Sequence, residues 1–230
     1  MIQAAARTQS VGARAHRVLG VRDVSPSAFV VRLERDGLIF RPGQWINVGR
    51  GGSLQRREYT IYSPPAEDFL EILVKEVEGG AVSRDLHACR PGDALEVDGP
   101  HGSFCIEPQE RPGKFLFIGT GTGVSPFHCL ALSHPGIDYQ LLHGVRTPRE
   151  MYDHDVFEPG RLIPCISGAG QAAAEKKAYA GRVTSYLHQH PVEAGSACYL
   201  CGNSDMIYEC YAMLRGFGVP ASRIFAEVYF

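Results

Sequence analysis

Three short segments of this 230-residue chain gather residues that could do chemistry. Gly119-Thr120-Gly121-Thr122-Gly123 lies between an apolar run and a stretch of helical character. Glycines there would let the backbone approach a pyrophosphate. The helix begun at Pro126 would add free N–H groups and the positive end of its dipole. Arg57-Glu58-Tyr59-Thr60 puts a cation, a ring and a hydroxyl within four residues, enough to hold a phosphate, an aromatic face and a polar ring edge. Gly80-Ala81-Val82-Ser83 precedes a short helix, a phosphate-capable start with Ser83 as N-cap donor. Cys198-Tyr199-Leu200-Cys201 has CxxC spacing. No second ligand pair lies at zinc-finger distance and its middle residues are apolar, so it reads as buried strand and no metal is expected.

Two kinds of scaffold must position these segments. The first half reads as β structure. Residues 16–24 and 28–34 are alternating or β-branched runs parted by Ser25-Pro26, and Phe40-Arg41-Pro42-Gly43-Gln44 is a turn feeding a strand at 45–48. Residues 59–62 form a short strand stopped by Pro64-Pro65, and 69–77 a strand ended by Gly79-Gly80. After one helix over 82–88, turns at 91–93 and 99–102 lead into strands at 94–97 and 103–106. This pattern predicts a small antiparallel barrel.

Beyond a linker at 108–113 the texture changes. Residues 114–118 are a short apolar run of the kind buried on both faces of a parallel sheet, followed by the glycine turn and a helix over 126–133. Further strands are expected at 139–145, 161–167, 197–201 and 224–230, a helix at 206–217, and a Gly/Ala-rich loop at 167–177 leading into a helical turn. The alternation predicts a doubly wound α/β domain.

Composition narrows the function classes. Hydrophobic residues at 44% and charged residues at 21% describe a folded globular chain. The net charge of −2 argues against a nucleic-acid binder, and no apolar run approaches the roughly 18 residues of a membrane helix. Residues 1–57 nonetheless hold ten Arg against Asp23, Glu34 and Asp36, a basic half that could face phosphates or an acidic partner, or could simply be scattered surface arginine. Seven scattered cysteines without a signal peptide fit a reduced, cytoplasmic chain. The Arg-bearing stretch before Asp23 reads as a short flexible tail over 1–15 rather than an organelle transit segment.

Taken in order, the motifs resemble those of the ferredoxin–NADP reductase superfamily. Phe40-Arg41-Pro42-Gly43-Gln44 resembles its early turn, Arg57-Glu58-Tyr59-Thr60 its RxY[ST] flavin motif, and Gly80–Ser83 its GxxS flavin-phosphate motif. The segment from Gly119 to Pro126 resembles its nicotinamide-nucleotide loop, Cys201-Gly202-Asn203-Ser204-Asp205-Met206 its CGxxxM segment, and Glu227-Val228-Tyr229 the ExY tail of its plant-type members. The resemblance implies an antiparallel FAD-binding β-barrel at 16–110 and an NADP(H)-binding α/β domain at 111–230.

It also implies roles. Arg57, with Glu58, Tyr59 and Thr60, would bind FAD: Arg57 at a phosphate, Tyr59 against one flavin face, Thr60 near the hydride-accepting nitrogen. Val74 and Lys75 would line the ribityl chain, and Gly80, Ala81, Val82 and Ser83 the pyrophosphate. Gly121, Thr122, Gly123 and Pro126 would hold the NADP pyrophosphate, and Arg146, Ser167 and Arg182 the 2′-phosphate. Cys201, Gly202 and Met206 would frame the nicotinamide. Thr60, Cys201, Glu227 and Tyr229 would form the catalytic group, with Tyr229 or the extra Phe230 on the second flavin face. Three departures stand out. The adenine loop is shortened to Val77-Glu78-Gly79-Gly80, and the intact GxxS favours FAD over FMN. Ser167-Gly168 lacks the Arg of a full 2′-phosphate pair, although Lys176 and Lys177 stand nearby in sequence. Phe230 lies past the usual end.

The reading implied is a ferredoxin– or flavodoxin–NADP reductase, exchanging hydride with NADP(H), with NAD(H) possible, and single electrons with a small protein; the sequence leaves the oligomeric state open, with a monomer favoured. One alternative is an NADH-dependent electron-transfer component of an oxygenase system; another is a flavin redox sensor without turnover.

Overall fold

A computed structural model describes residues 12–53, 55–168 and 178–228. Strands β1 (Arg14–Ser25), β2 (Ala28–Glu34), β3 (Trp45–Arg50), β4 (Arg57–Thr60), β5 (Phe69–Lys75) and β6 (Ala94–His101) form one antiparallel sheet in the order β4-β3-β6-β1-β2-β5. The sheet curls shut just past β4. There Ile61 bridges Ile72, and the Tyr62 N–H donates to the Glu71 carbonyl at 2.7 Å. Val18, Phe29, Val31, Leu33, Ile46, Val48, Ile72 and Leu95 fill the interior. Helix α1 (Ala81–His87) adds Val82 and Leu86 to that core.

Residues 103–106 depart from expectation, making no strand ladder. Strand β6 runs on to His101, and Gly102, at φ +86°, turns the chain beneath the Trp45 ring, where a side chain would not fit. Phe104 and Ile106 then pack into the junction with the second sheet, and the Cys105 carbonyl accepts a hydrogen bond from the Tyr199 hydroxyl at 3.2 Å.

The second sheet is parallel: β7 (Lys114–Thr120), β8 (Asp138–Val145), β9 (Leu162–Ile166), β10 (Tyr179–Ala180), β11 (Ala197–Gly202) and β12 (Ile224–Val228), ordered β10-β9-β8-β7-β11-β12. Its core strands alternate between two buried faces. Phe115, Phe117, Leu141 and Tyr199 pack with α2 (Ser125–Ser133) on one side. Leu116, Ile118, Leu142 and Leu200 pack with α3 (Val183–Gln189) and α4 (Ser204–Gly216) on the other. This is the doubly wound arrangement expected from the alternating texture. The sequence gives no sign of β10 and marks α3 only as a helical turn after the 167–177 loop. The stretch from Gly181 to His190 is polar and carries Val183 and Leu187 as its only fully buried apolar pair, too little for periodicity to register. Most of the expected loop at 167–177 lies outside the described residues.

The two sheets share one apolar seam. Ala28, Val30, Tyr62 and Leu73 of the barrel join Phe115, Phe117, Phe127 and Tyr199 in a single buried cluster. Each large side chain buried there contributes about 1.5–3 kcal/mol. The Tyr62 and His128 rings stack across the seam at 3.7 Å, and His128 Nδ1–H donates to the Tyr62 carbonyl at 2.9 Å. All seven cysteines are buried and none is in a disulfide. No helix among the described residues is long and apolar enough to cross a membrane.

Candidate functional site

In an open parallel sheet, ligands favour the carboxyl ends of the strands where strand order reverses. Here that point lies between β7 and β11. Strand β7 ends at Thr120 and passes into a tight 3-10 turn, Gly121–Val124, before α2 begins with Pro126 in its first turn. Gly121 sits at φ +54°. A Cβ on Gly123 would overlap the Cys201 carbonyl, and one on Gly202, at φ +125°, would overlap the Thr120 hydroxyl. These glycines therefore let the two strand ends meet backbone to backbone. The Asn203 N–H donates to Thr120 Oγ1 at 3.0 Å, and Asn203 Oδ1 caps α4 by accepting from the Met206 N–H at 3.2 Å. The Ser125 hydroxyl donates to the Thr122 carbonyl at 2.7 Å. Gly121, Thr122, Gly123, Cys201 and Gly202 are thus brought together, while Pro126 and Met206 lie buried in the packing beneath.

Next along the same rim, the ends of β8 and β9 are clipped together. Ser167 N–H donates to the Val145 carbonyl at 3.0 Å, and Gly168 N–H to the Arg146 carbonyl at 2.9 Å. Gly181 N–H reaches the Ile166 carbonyl at 3.0 Å, which puts Arg182, the exposed residue preceding α3, beside the same strand end. Among the described residues neither the Arg146 nor the Arg182 guanidinium has a carboxylate partner.

On the barrel, β4 presents Arg57 and Glu58 to solvent, half-buries Tyr59 and buries Thr60 opposite Trp45. Arg56 pairs with Glu96, whereas the Arg57 guanidinium bonds only the Arg56 carbonyl among the described residues, at 2.9 Å. Burial pushes the Tyr59 phenol up to about 12, opposed by Arg57. Strand β5 ends the sheet, and past its bridge at Ile72 the backbone of Val74 and Lys75 keeps one open edge. Ser83 is not the N-cap it was expected to be. Gly80 holds that position, and Ser83, in the third position of α1, accepts from the Val77 N–H at 3.3 Å and donates to the Gly80 carbonyl at 3.4 Å. No side chain among the described residues caps the start of α1.

Glu227 of β12 is in register with Cys201 of β11 and approaches the barrel at Gly102, where an added Cβ would lie 3.5 Å from Glu227 Oε1. Its Oε2 is buried without a hydrogen-bond partner among the described residues. Burial, with Glu58 adding repulsion, raises its pKa to about 7. An orphaned carboxyl oxygen, an arginine without a carboxylate partner and an uncapped helix start fit a flavin nucleotide, which brings polar ring edges and phosphates together. Tyr229, Phe230, Lys176 and Lys177 lie outside the described residues. No cluster of metal-ligating side chains occurs among those described.

A second set of polar residues had no local signal in the sequence. Arg22 forks onto Asp153 with bonds of 2.9 and 2.8 Å, and the Tyr62 hydroxyl donates to the same carboxylate at 3.2 Å. Burial alone would raise the Asp153 pKa, but Arg22 holds it below its ordinary value. His143 and His154 meet at 2.6 Å beneath the glycine turn. Burial lowers their pKa values to about 4 and about 3, and that of His128 to about 4.

Residues 18–106 match the oxidoreductase FAD-binding domain family. The chain is 28% identical to the toluate 1,2-dioxygenase electron transfer component of Pseudomonas putida, over 97% of this chain and 69% of that one. It is 29% identical to ferredoxin–NADP reductase B of Sorangium cellulosum, over 93% of this chain and 96% of that one. Among solved structures, an Amycolatopsis cytochrome P450 reductase superposes with a TM-score of 0.83 at 29% identity, covering 94% of this chain and 70% of the other. A Neisseria gonorrhoeae ferredoxin NADP+ reductase with bound FAD and NADP superposes at 0.82 and 20% identity, covering 96% and 100%.

Proposed function

The chain belongs to the ferredoxin–NADP reductase-like superfamily of FAD- and NAD(P)-binding reductases, and from that premise we propose that it is a ferredoxin– or flavodoxin–NADP reductase. When bound, FAD supplies the redox chemistry, taking or giving hydride at the nicotinamide and single electrons at the protein partner. The observation that carries the reading is the meeting of Glu227, one strand from Cys201 at the nucleotide rim, with Gly102 of the barrel, which gives the flavin and nicotinamide sites a common wall.

Each residue then has a defined task. Arg57 and the first N–H groups of α1, from Gly80 to Ser83, hold flavin phosphates. Tyr59 packs on the ring face, Thr60 donates at the ring edge, and the open β5 edge at Val74 and Lys75 borders the ribityl chain. Thr122 and Gly123 hold the nucleotide pyrophosphate, with Arg146, Ser167 and Arg182 at its 2′-phosphate. Cys201 and Gly202 leave room for the nicotinamide. Glu227, poised near neutral pH, holds or releases a proton at its carboxyl oxygen. Tyr229 or Phe230, both outside the described residues, would take the second flavin face. In this reading 16–110 binds FAD, 111–230 binds NADP(H), and the protein is a cytoplasmic monomer serving ferredoxin or flavodoxin.

A second reading, an NADH-dependent component of an oxygenase system, draws on Ser167 being followed by Gly168 rather than Arg, and on the similar identity to the toluate dioxygenase component. Anaerobic reduction of the bound flavin by NADPH and by NADH separately, followed by titration with ferredoxin and flavodoxin, decides between them. Faster reduction by NADPH and reoxidation by either protein are expected. Preference for NADH would transfer the chain to the second reading, and failure of both nucleotides would make it a flavin sensor.

A further inference from the structure

His143 lies on β8 beside Gly119, directly under the glycine turn, and is fully buried. Its Nε2 is 2.8 Å from the Gly121 carbonyl. A carbonyl only accepts, so Nε2 carries the proton and Nδ1 presents a lone pair. That lone pair accepts from His154 Nε2–H at 2.6 Å, leaving His154 Nδ1 buried and without a partner among the described residues. The direction of both bonds is fixed by one backbone oxygen, and both rings are neutral.

The Gly121–Thr122 peptide is planar and trans, so its carbonyl and its N–H point in opposite directions. Holding the Gly121 oxygen down on His143 aims the Thr122 N–H up, out of the sheet. Thr122 is the second residue of the 3-10 turn, so that N–H has no acceptor within the turn. The other end of the chain is anchored as firmly. Asp153 adjoins His154, holds a left-handed backbone at φ +44°, and is gripped by Arg22 of β1 and Tyr62 just past β4, both in the barrel.

We propose that Arg22, Asp153, His154 and His143 form a positioning relay: it aims the Thr122 N–H at the phosphate of the nicotinamide nucleotide and ties that aim to the seating of the barrel on the α/β domain. The proposal rests on the nucleotide-binding reading of the glycine turn. None of the four residues touches a reacting atom; they act through the turn's backbone.

The test uses the full-length, flavin-loaded protein titrated with NADP+ and with NAD+, followed by the flavin difference spectrum. Arg22→Gln and His143→Phe should each raise the dissociation constant and KM by about tenfold, the effect of one misaimed donor, with kcat at saturation changed by less than about twofold. Arg22 is half exposed, so its variant folds, and Arg22→Lys should recover most of the loss. Because the residues act in series, the double variant should be no worse than the more affected single one. Wild-type binding with unchanged affinity in Arg22→Gln overturns the relay, as do fully additive losses in the double variant. Absence of binding by the wild type to either nucleotide overturns the underlying reading instead.

Discussion

Gly123 in the glycine turn after β7 faces the Cys201 carbonyl so closely that a single methyl group would overlap it. The two residues sit on opposite sides of the point where the strand order reverses, and their contact sets the width of the crevice. Gly123→Ala must therefore push the turn away from β11. Overpacking of this kind costs about 1–3 kcal/mol. The expected result is at least a tenfold rise in KM for the nucleotide with flavin content unchanged, measured by steady-state dye reduction and absorbance.

Arg57 lacks a carboxylate partner among the described residues, while its neighbour Arg56 is engaged by Glu96. Replacing Arg57 with Ala should remove a charge-assisted bond of about 1.5–3 kcal/mol to a flavin phosphate. Flavin-to-protein ratio after gel filtration should fall, and the flavin released from wild type by denaturation should run as FAD. Full retention in the variant would count against the assignment.

Arg182 stands at the rim beside the end of β9, with no arginine following Ser167 to assist it. Arg182→Ala should erase most of any preference for NADPH over NADH, about one to two decades in kcat/KM, with NADH kinetics nearly unchanged. An equal loss with both donors would mean that Arg182 supports the fold of the rim and not the 2′-phosphate.

Much of this was legible in the sequence because it is local. Strand β2 was read at its exact bounds, and the Gly-rich turn, α1 and the buried run of β7 fell within a residue or two, since turn chemistry and apolar patterning both act over a few positions. The missed parts are long-range. Ser83 looked like a cap because its type suits one, but Gly80 is the N-cap of α1, and Ser83, three residues on, packs under the Val77 turn. Residues 103–106 alternate like a strand, yet they find their neighbours across the domain seam instead of along a ladder. Asp153 and Arg22 are 131 positions apart, and nothing in either neighbourhood marks the pairing.

Acidification should weaken the fold. His128, His143 and His154 are buried neutral, with pKa values of about 4, 4 and 3 against 6.5 in an unfolded chain. Below pH 6.5 the unfolded chain takes up protons that the folded one refuses, so stability falls as the pH drops. Glu227 works the other way between pH 4.5 and 7, because the folded chain holds its proton more tightly. Three groups against one leave about two protons net, a slope of at most roughly 2.7 kcal/mol per pH unit between pH 6.5 and 4.5. Urea unfolding midpoints at pH 7, 6 and 5 should decline in that order, and a flat profile would mean that the histidines are not buried neutral.

The seven sheltered thiols bear on how such a protein survives its own work. Electron carriers run in air generate oxidants close at hand, and cysteine is attacked as thiolate, at a rate set by exposure and acidity. Here every cysteine is buried, and burial pushes the thiols of Cys129, Cys165, Cys198 and Cys210 up to about 12. The chain thus carries its cysteines as small apolar fillers, chemically silent while it stays folded. Ellman's reagent should find almost none of them in the native protein and seven once it is unfolded, so thiol release doubles as a clock for the opening of the fold.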